Sequence, residues 1–244
     1  MINNLGLFIF HSMMTFLMMP LLLMQAIWVR ARVIKLPEAL GPRSGSQGKG
    51  KTIKLLILGD SAAAGVGVYQ QTEALSGQLS TQLAMKYHVN WQLQATSGFT
   101  LAQVCKAVNT LSPQSFDFVL LSVGVNDVTH LTAAKAWRDN LSTLLNLLST
   151  KFSAQVLLTH IPPMHLFKGI PQPLRFWLGK RAQRFNQLMA TAVDNHQQSI
   201  LLNLTITVMP ENLAEDGIHP SKLTYQQWGK QAAAQIIKLK QSIN

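Results

Sequence analysis

Cysteine is almost missing. Cys105 is the single one in 244 residues, which excludes an internal disulfide. No cluster of His, Cys, Asp or Glu shows metal-ligand spacing, so neither a metal nor a cofactor is expected. Acidic residues are also scarce, 10 against 21 Lys and Arg, for a net charge of +11. Such an excess suits nucleic acid or an anionic membrane surface. No run of five basic residues and no nucleic-acid motif occurs, so nucleic acid is not an expected partner and a membrane is preferred. Charge of either sign is thin, 13% of residues against 48% hydrophobic, and the N-terminus accounts for part of that imbalance.

Residues 5–29 carry no charge, a length that spans a bilayer as a helix. Trp28 would sit at the interface, with Arg30, Arg32 and Lys35 just beyond. A cleaved signal peptide and a soluble or interfacial helix are the alternatives; against the signal peptide, Met1-Ile2-Asn3-Asn4 has no basic side chain and no clear cleavage site follows. Residues 1–35 are therefore expected to be a single-pass anchor. The basic flank places the remainder on the cytoplasmic side, with a periplasmic or secreted domain as the alternative. Residues 36–52, with Pro37, Gly41, Pro42, Gly45, Gly48 and Gly50, read as a flexible linker. The linker includes a literal phosphate-loop pattern, Gly45-Ser46-Gln47-Gly48-Lys49-Gly50-Lys51-Thr52. That motif works between a strand and a helix. Here no strand is expected before it and one is expected after it, so it reads as a basic, solvated loop.

From residue 53 to 244 strand and helix patterns alternate. The apolar run 53–58 reads as a buried strand ending in Gly59-Asp60-Ser61. Further strands are expected at 89–94, 117–123, 155–161 and 200–204. Helices are expected near 72–86, 101–111, 133–149, 178–195 and 222–240. This alternation argues a parallel sheet with helices on both faces. Ligands of such sheets bind beyond the carboxyl ends of the strands. Ser61 stands at that edge, but a serine is a weak nucleophile without a base and an oxyanion site.

Four short blocks supply both: Gly59-Asp60-Ser61, Gly98, Gly124-x-Asn126-Asp127 and Asp216-x-x-His219. Together, over 53–240, they resemble the SGNH (GDSL-like) hydrolases, a family of esterases, lipases and related acyl hydrolases. The resemblance implies a flavodoxin-like three-layer α/β/α domain with a five-stranded parallel sheet in the order 2-1-3-4-5. It implies Ser61 as nucleophile, His219 as base and Asp216 as its orienter. The backbone N–H groups of Ser61 and Gly98 and the Asn126 side chain are the implied oxyanion donors. One position departs from the family pattern: Ala62 stands where a leucine is usual.

Several residues compete for these roles. Asp127-Val128-Thr129-His130 repeats the acid–base spacing after the third strand. His160 sits at a strand end and is a candidate pocket residue. Cys105 reads as a small buried apolar residue. Met164, Leu166, Phe167, Ile170, Leu174, Phe176 and Trp177 suggest an acyl-chain wall or a lid, or else a loop packed on the core. The expected activity is serine acyl-ester hydrolysis on a small or lipid-like ester. The alternatives are a deacetylase or thioesterase of the same family, and a non-catalytic, membrane-tethered protein of this fold.

Overall fold

The computed structural model describes residues 4–206 and 208–243. In chain order the elements are α1 (Asn4–Arg32), β1 (Ser44–Gln47), β2 (Thr52–Gly59), α2 (Ser61–Ala64), α3 (Leu75–Ala84), β3 (His88–Ala95) and α4 (Leu101–Thr110). They continue with β4 (Phe118–Ser122), α5 (Val125–Thr129), α6 (Ala134–Phe152), β5 (Gln155–Thr159), α7 (Leu174–Asp194), β6 (Ser199–Leu202) and α8 (Lys222–Ile243). One six-stranded sheet runs β1-β3-β2-β4-β5-β6. All neighbours are parallel except β1, which pairs antiparallel with β3, Ser44 opposite Gln92 and Gln47 opposite Val89. The chain is thus a three-layer α/β fold with a mostly parallel sheet.

Alternate residues of β2 explain the layering. Leu56 and Leu58 point into the core layer formed with α4, α6 and α7. Ile53, Leu55 and Ile57 point into the layer formed with α3 and α8. All five are buried, as expected of a strand covered on both faces.

Two expectations need correction. The sheet has six strands rather than five, and its order differs from 2-1-3-4-5, because residues 44–47 form an edge strand instead of free linker. Edge pairing needs only a backbone ladder, and a Gly/Ser-rich segment carries no hydrophobic period to announce it. The second correction concerns the N-terminus. Among the described residues no helix is long and apolar enough to cross a membrane. The side chains of residues 5–16, the first half of the expected span, lie outside the described residues. In its last turn α1 carries Arg30 and Arg32. Its Met18, Leu22 and Val29 pack on the core layer of α7. Gln25 fastens it there: its Nε2 donates to Gln172 O at 2.7 Å, and Leu174 N donates to its Oε1 at 3.0 Å.

Candidate active site

β2 and β4 lie side by side at the centre of the sheet, Gly59 in register with Ser122. The chain leaves each through a tight glycine turn. After β2, Asp60 caps α2 by accepting from Ala62 N at 3.2 Å, which puts Ser61 on the first turn of that helix. Gly65 ends α2 with φ +88°, a conformation that L side chains rarely adopt. The Tyr225 hydroxyl, on α8, lies 2.9 Å from Ala62 O and 2.8 Å from Val66 O and shares its proton between them. The turn bearing Ser61 is therefore held from below as well as along the chain.

The loop between β6 and α8 brings the other side chains. Asp216 accepts from the N–H groups of Ile218 and His219 at 2.9 and 3.0 Å, closing a tight turn. Ala214 N donates to His219 O at 2.8 Å, so the loop folds back on itself. His219 Nδ1 lies 2.5 Å from Asp216 Oδ2, and its Nε2 lies 2.8 Å from Ser61 Oγ. Burial drives the Asp216 carboxyl upward, but the His219 ring and the two backbone N–H groups outweigh it and hold the group below its ordinary value. Asp216 is thus ionised at neutral pH and can only accept. The His219 proton then sits on Nδ1, and Nε2 is left to accept from the Ser61 hydroxyl. The Asp216 side chain is 1% exposed and that of His219 24%, so the inner member is dry and the outer one reachable.

The turn holding Gly98 follows β3, and α5 follows β4. Asn126 Nδ2 donates to Phe99 O at 3.0 Å, tying the two together; the second hydrogen of that amide is not used in this bond. Gly98 has φ +83°, with open space where a side chain would begin. Backbone conformation, rather than a crowded approach, selects glycine there. The turn is braced from the presumed linker: Glu38 Oε1 accepts from Ser97 N at 2.7 Å, and Arg43 pairs with Glu38 at 2.9 Å and donates to Ala95 O. Glu38 and Arg43 carried no signal in the sequence, because the backbone groups they hold, Ser97 N and Ala95 O, lie more than fifty positions away.

The rival pair does not join this cluster. Asp127 is buried and accepts from Leu101 N at 2.8 Å and Thr132 Oγ1 at 3.2 Å; His130 is exposed on the far end of α5. Burial raises the Asp127 carboxyl above its ordinary value. It acts as a brace between α4 and α5. Cys105 is half-buried, and burial pushes its thiol up to about 11. Burial also lowers the pKa of His160. Asp60 was missed as more than part of a motif: wholly buried, it is raised to about 7, above all by desolvation, with His219 acting in the opposite direction.

A cavity of about 200 Å³ opens beside Ser61 and His219. Val123, Val125, Ile161, Phe167, Ile218 and Trp228 give it a largely apolar wall. Of the apolar segment after β5, Met164, Phe167, Ile170 and Leu174 are buried in the core, while Leu166 and Phe176 are exposed. A second hollow, about 710 Å³, shares His160, Ile161, Pro162 and Pro163 with the first and adds Phe176 and Lys180 from α7. Among the described residues no group of three or more His, Cys, Asp or Glu could hold a metal ion.

The model of the GDSL-like lipase/acylhydrolase family matches residues 57–227. No curated protein matches the chain. Solved structures do. A lipase/acylhydrolase from Enterococcus faecalis is 22% identical, with TM-score 0.56, covering 75% of this chain and 95% of that one. A family 3 carbohydrate esterase from Clostridium thermocellum is 18% identical, with TM-score 0.62, covering 79% and 99%. A catalytic mutant of an acetylxylan esterase from Geobacillus stearothermophilus is 16% identical, with TM-score 0.58, covering 78% and 95%. At these identities the likeness is one of fold.

Proposed function

The chain belongs to the GDSL-like lipase/acylhydrolase family, and we propose that it hydrolyses acyl esters with Ser61 as nucleophile. The observation that carries this reading is the relay of Asp216, His219 and Ser61 at 2.5 and 2.8 Å. Ser61 Oγ attacks the ester carbonyl as His219 Nε2 takes its proton. Asp216 holds the ring in the needed tautomer and stabilises the imidazolium. The negative charge that develops on the carbonyl oxygen is met by the Ser61 and Gly98 N–H groups and the Asn126 amide. His219 then returns its proton to the leaving alkoxide. Water, deprotonated by the same ring, releases the acid from the acyl-enzyme.

The apolar cavity supports a short or medium acyl group. Val123, Val125, Ile161 and Phe167 give its wall that apolar character, which suits an acyl chain. A nitrophenyl-ester series from acetate to palmitate, run with the wild type and Ser61→Ala, tests both points. Rates should peak between butyrate and octanoate and fall by at least ~10³ in the variant. Equal rates in the two proteins would remove the nucleophile assignment. Deacetylation is the second reading, favoured by the fold shared with the carbohydrate and acetylxylan esterases; a sharp optimum at acetate would select it.

A further inference from the structure

Helix α1 has two apolar sides, and only one is covered. Met18, Leu22 and Val29 pack on the domain, whereas Leu17, Leu21, Leu23, Met24, Ile27 and Trp28 face outward and are exposed. A helix apolar all round is ordinarily buried on every side, and a continuous exposed patch of this kind marks a contact surface. Its neighbour across the Gln25–Gln172 bond is the start of α7, where Gln172 also accepts from Phe176 N at 3.1 Å and Phe176 is exposed. One exposed aromatic ring on each of the two helices carries a cation: Arg32 lies 4.7 Å from the Trp28 ring centroid, and Lys180 lies 5.6 Å from that of Phe176.

The charge on the same two segments has one sign. Residues 1–37 and 160–193 together hold eight basic residues and no acidic one. Arg181 is turned inward onto Val128 O and Thr132 O, but Arg30, Arg32, Lys35, Lys168, Lys180 and Arg184 are exposed; exposed apolar side chains and cations on the same segments match the acyl and headgroup layers of an anionic bilayer. We propose that the outward face of α1, with Phe176 and the flanking basic residues, lies in the interface of an anionic lipid bilayer without crossing it. Nucleic acid offers the same charge but nothing for Leu23 or Ile27 to enter. The hollow containing Phe176 and Lys180 adjoins the triad cavity through His160–Pro163, so this docking sets that cavity beside the lipid surface.

The test uses the full chain and two vesicle preparations, pure phosphatidylcholine and phosphatidylcholine with about a third phosphatidylglycerol. It does not depend on the ester-hydrolase reading, because the readout is cosedimentation and the folding control is the thermal melt. Binding should need the anionic lipid and weaken several-fold between 0.1 and 0.5 M NaCl. Leu23→Glu with Ile27→Glu should reduce it at least tenfold with the melting temperature unchanged, and Arg30→Glu with Arg32→Glu by several-fold. Alkaline carbonate should strip the protein from vesicles. Resistance to carbonate would mean a span and overturn the proposal. So would equal binding to both vesicles, a dimer that Leu23→Glu converts to monomers while vesicle binding stays unchanged, or binding to duplex DNA that competes with vesicles and ignores Leu23→Glu.

Discussion

At the scale of single residues, the site is a set of polar groups that differ mainly in how much water reaches them. Asn126 shows this directly. One amide hydrogen is committed to Phe99 O, which orients the other. Asn126→Ala should lower kcat for a nitrophenyl ester by about 10²–10³, with KM changed far less. Asn126→Asp should be at least as damaging, since a carboxylate has no hydrogen to donate. Asp60 allows a test of electrostatics by stability. Its pKa rises from an ordinary 3.8 to about 7 in the folded chain. Between those values the folded state holds a proton that the unfolded state has released, so this group's contribution to stability declines as pH rises through the window. Thermal melts from pH 4 to 7 should therefore show a smaller downward slope in Asp60→Asn than in the wild type. Identical slopes would mean that the buried carboxyl is already ionised. Asp216 works the other way: its lowered pKa adds stability above the ordinary carboxylate range, lost as pH falls through the folded value.

At the scale of elements, the segment between α1 and β2 does two jobs. It adds an edge strand, and through Glu38 and Arg43 it steadies the turn that holds Gly98. The Glu38–Arg43 pair is partly exposed, and such pairs contribute little to stability. Its effect should be on geometry. Glu38→Ala should reduce kcat by about tenfold and leave the melting temperature nearly unchanged, with Glu38→Gln recovering part of the rate because it still accepts from Ser97 N. Gln71 has the opposite balance. It is buried, donates to Ala39 O and Ala64 O at 3.1 and 2.9 Å, and accepts from Ser76 Oγ at 2.7 Å. Gln71→Leu strands these partners and should cost about 2–4 kcal/mol in urea denaturation.

At the scale of the whole molecule, the sheet is a shared wall. Trp137 and Phe185 stack at 4.8 Å on one side, and Tyr225 and Trp228 at 6.2 Å on the other. Because β2 sends side chains into both layers, neither layer can melt while the other keeps its wall. Trp137→Ala and Tyr225→Ala should each lower one cooperative urea transition, with far-ultraviolet and near-ultraviolet circular dichroism moving together. Trp137→Ala should cost about 3–5 kcal/mol. Two separate transitions would show that the layers are energetically independent.

The alternation of apolar strands and amphipathic helices after residue 52 was readable from the chain alone, because a parallel sheet buried on both faces writes continuous apolar runs into its strands. Helix α7 begins at Leu174 rather than near 178; Pro171 and Pro173 mask its first turn in the pattern. The blocks that hold Ser61, Asn126 and the Asp216–His219 spacing could be picked out too, and the roles proposed for them came from their resemblance to the SGNH hydrolases. What the chain alone could not settle was any relation between distant segments. Only the tertiary structure decided that Ser61 meets His219 across 158 positions, that His130 stays outside, that Glu38 braces a turn after β3, and that one side of α1 is fastened to α7. Local order is written in neighbouring residues, whereas a contact between remote segments is decided by how the whole core packs.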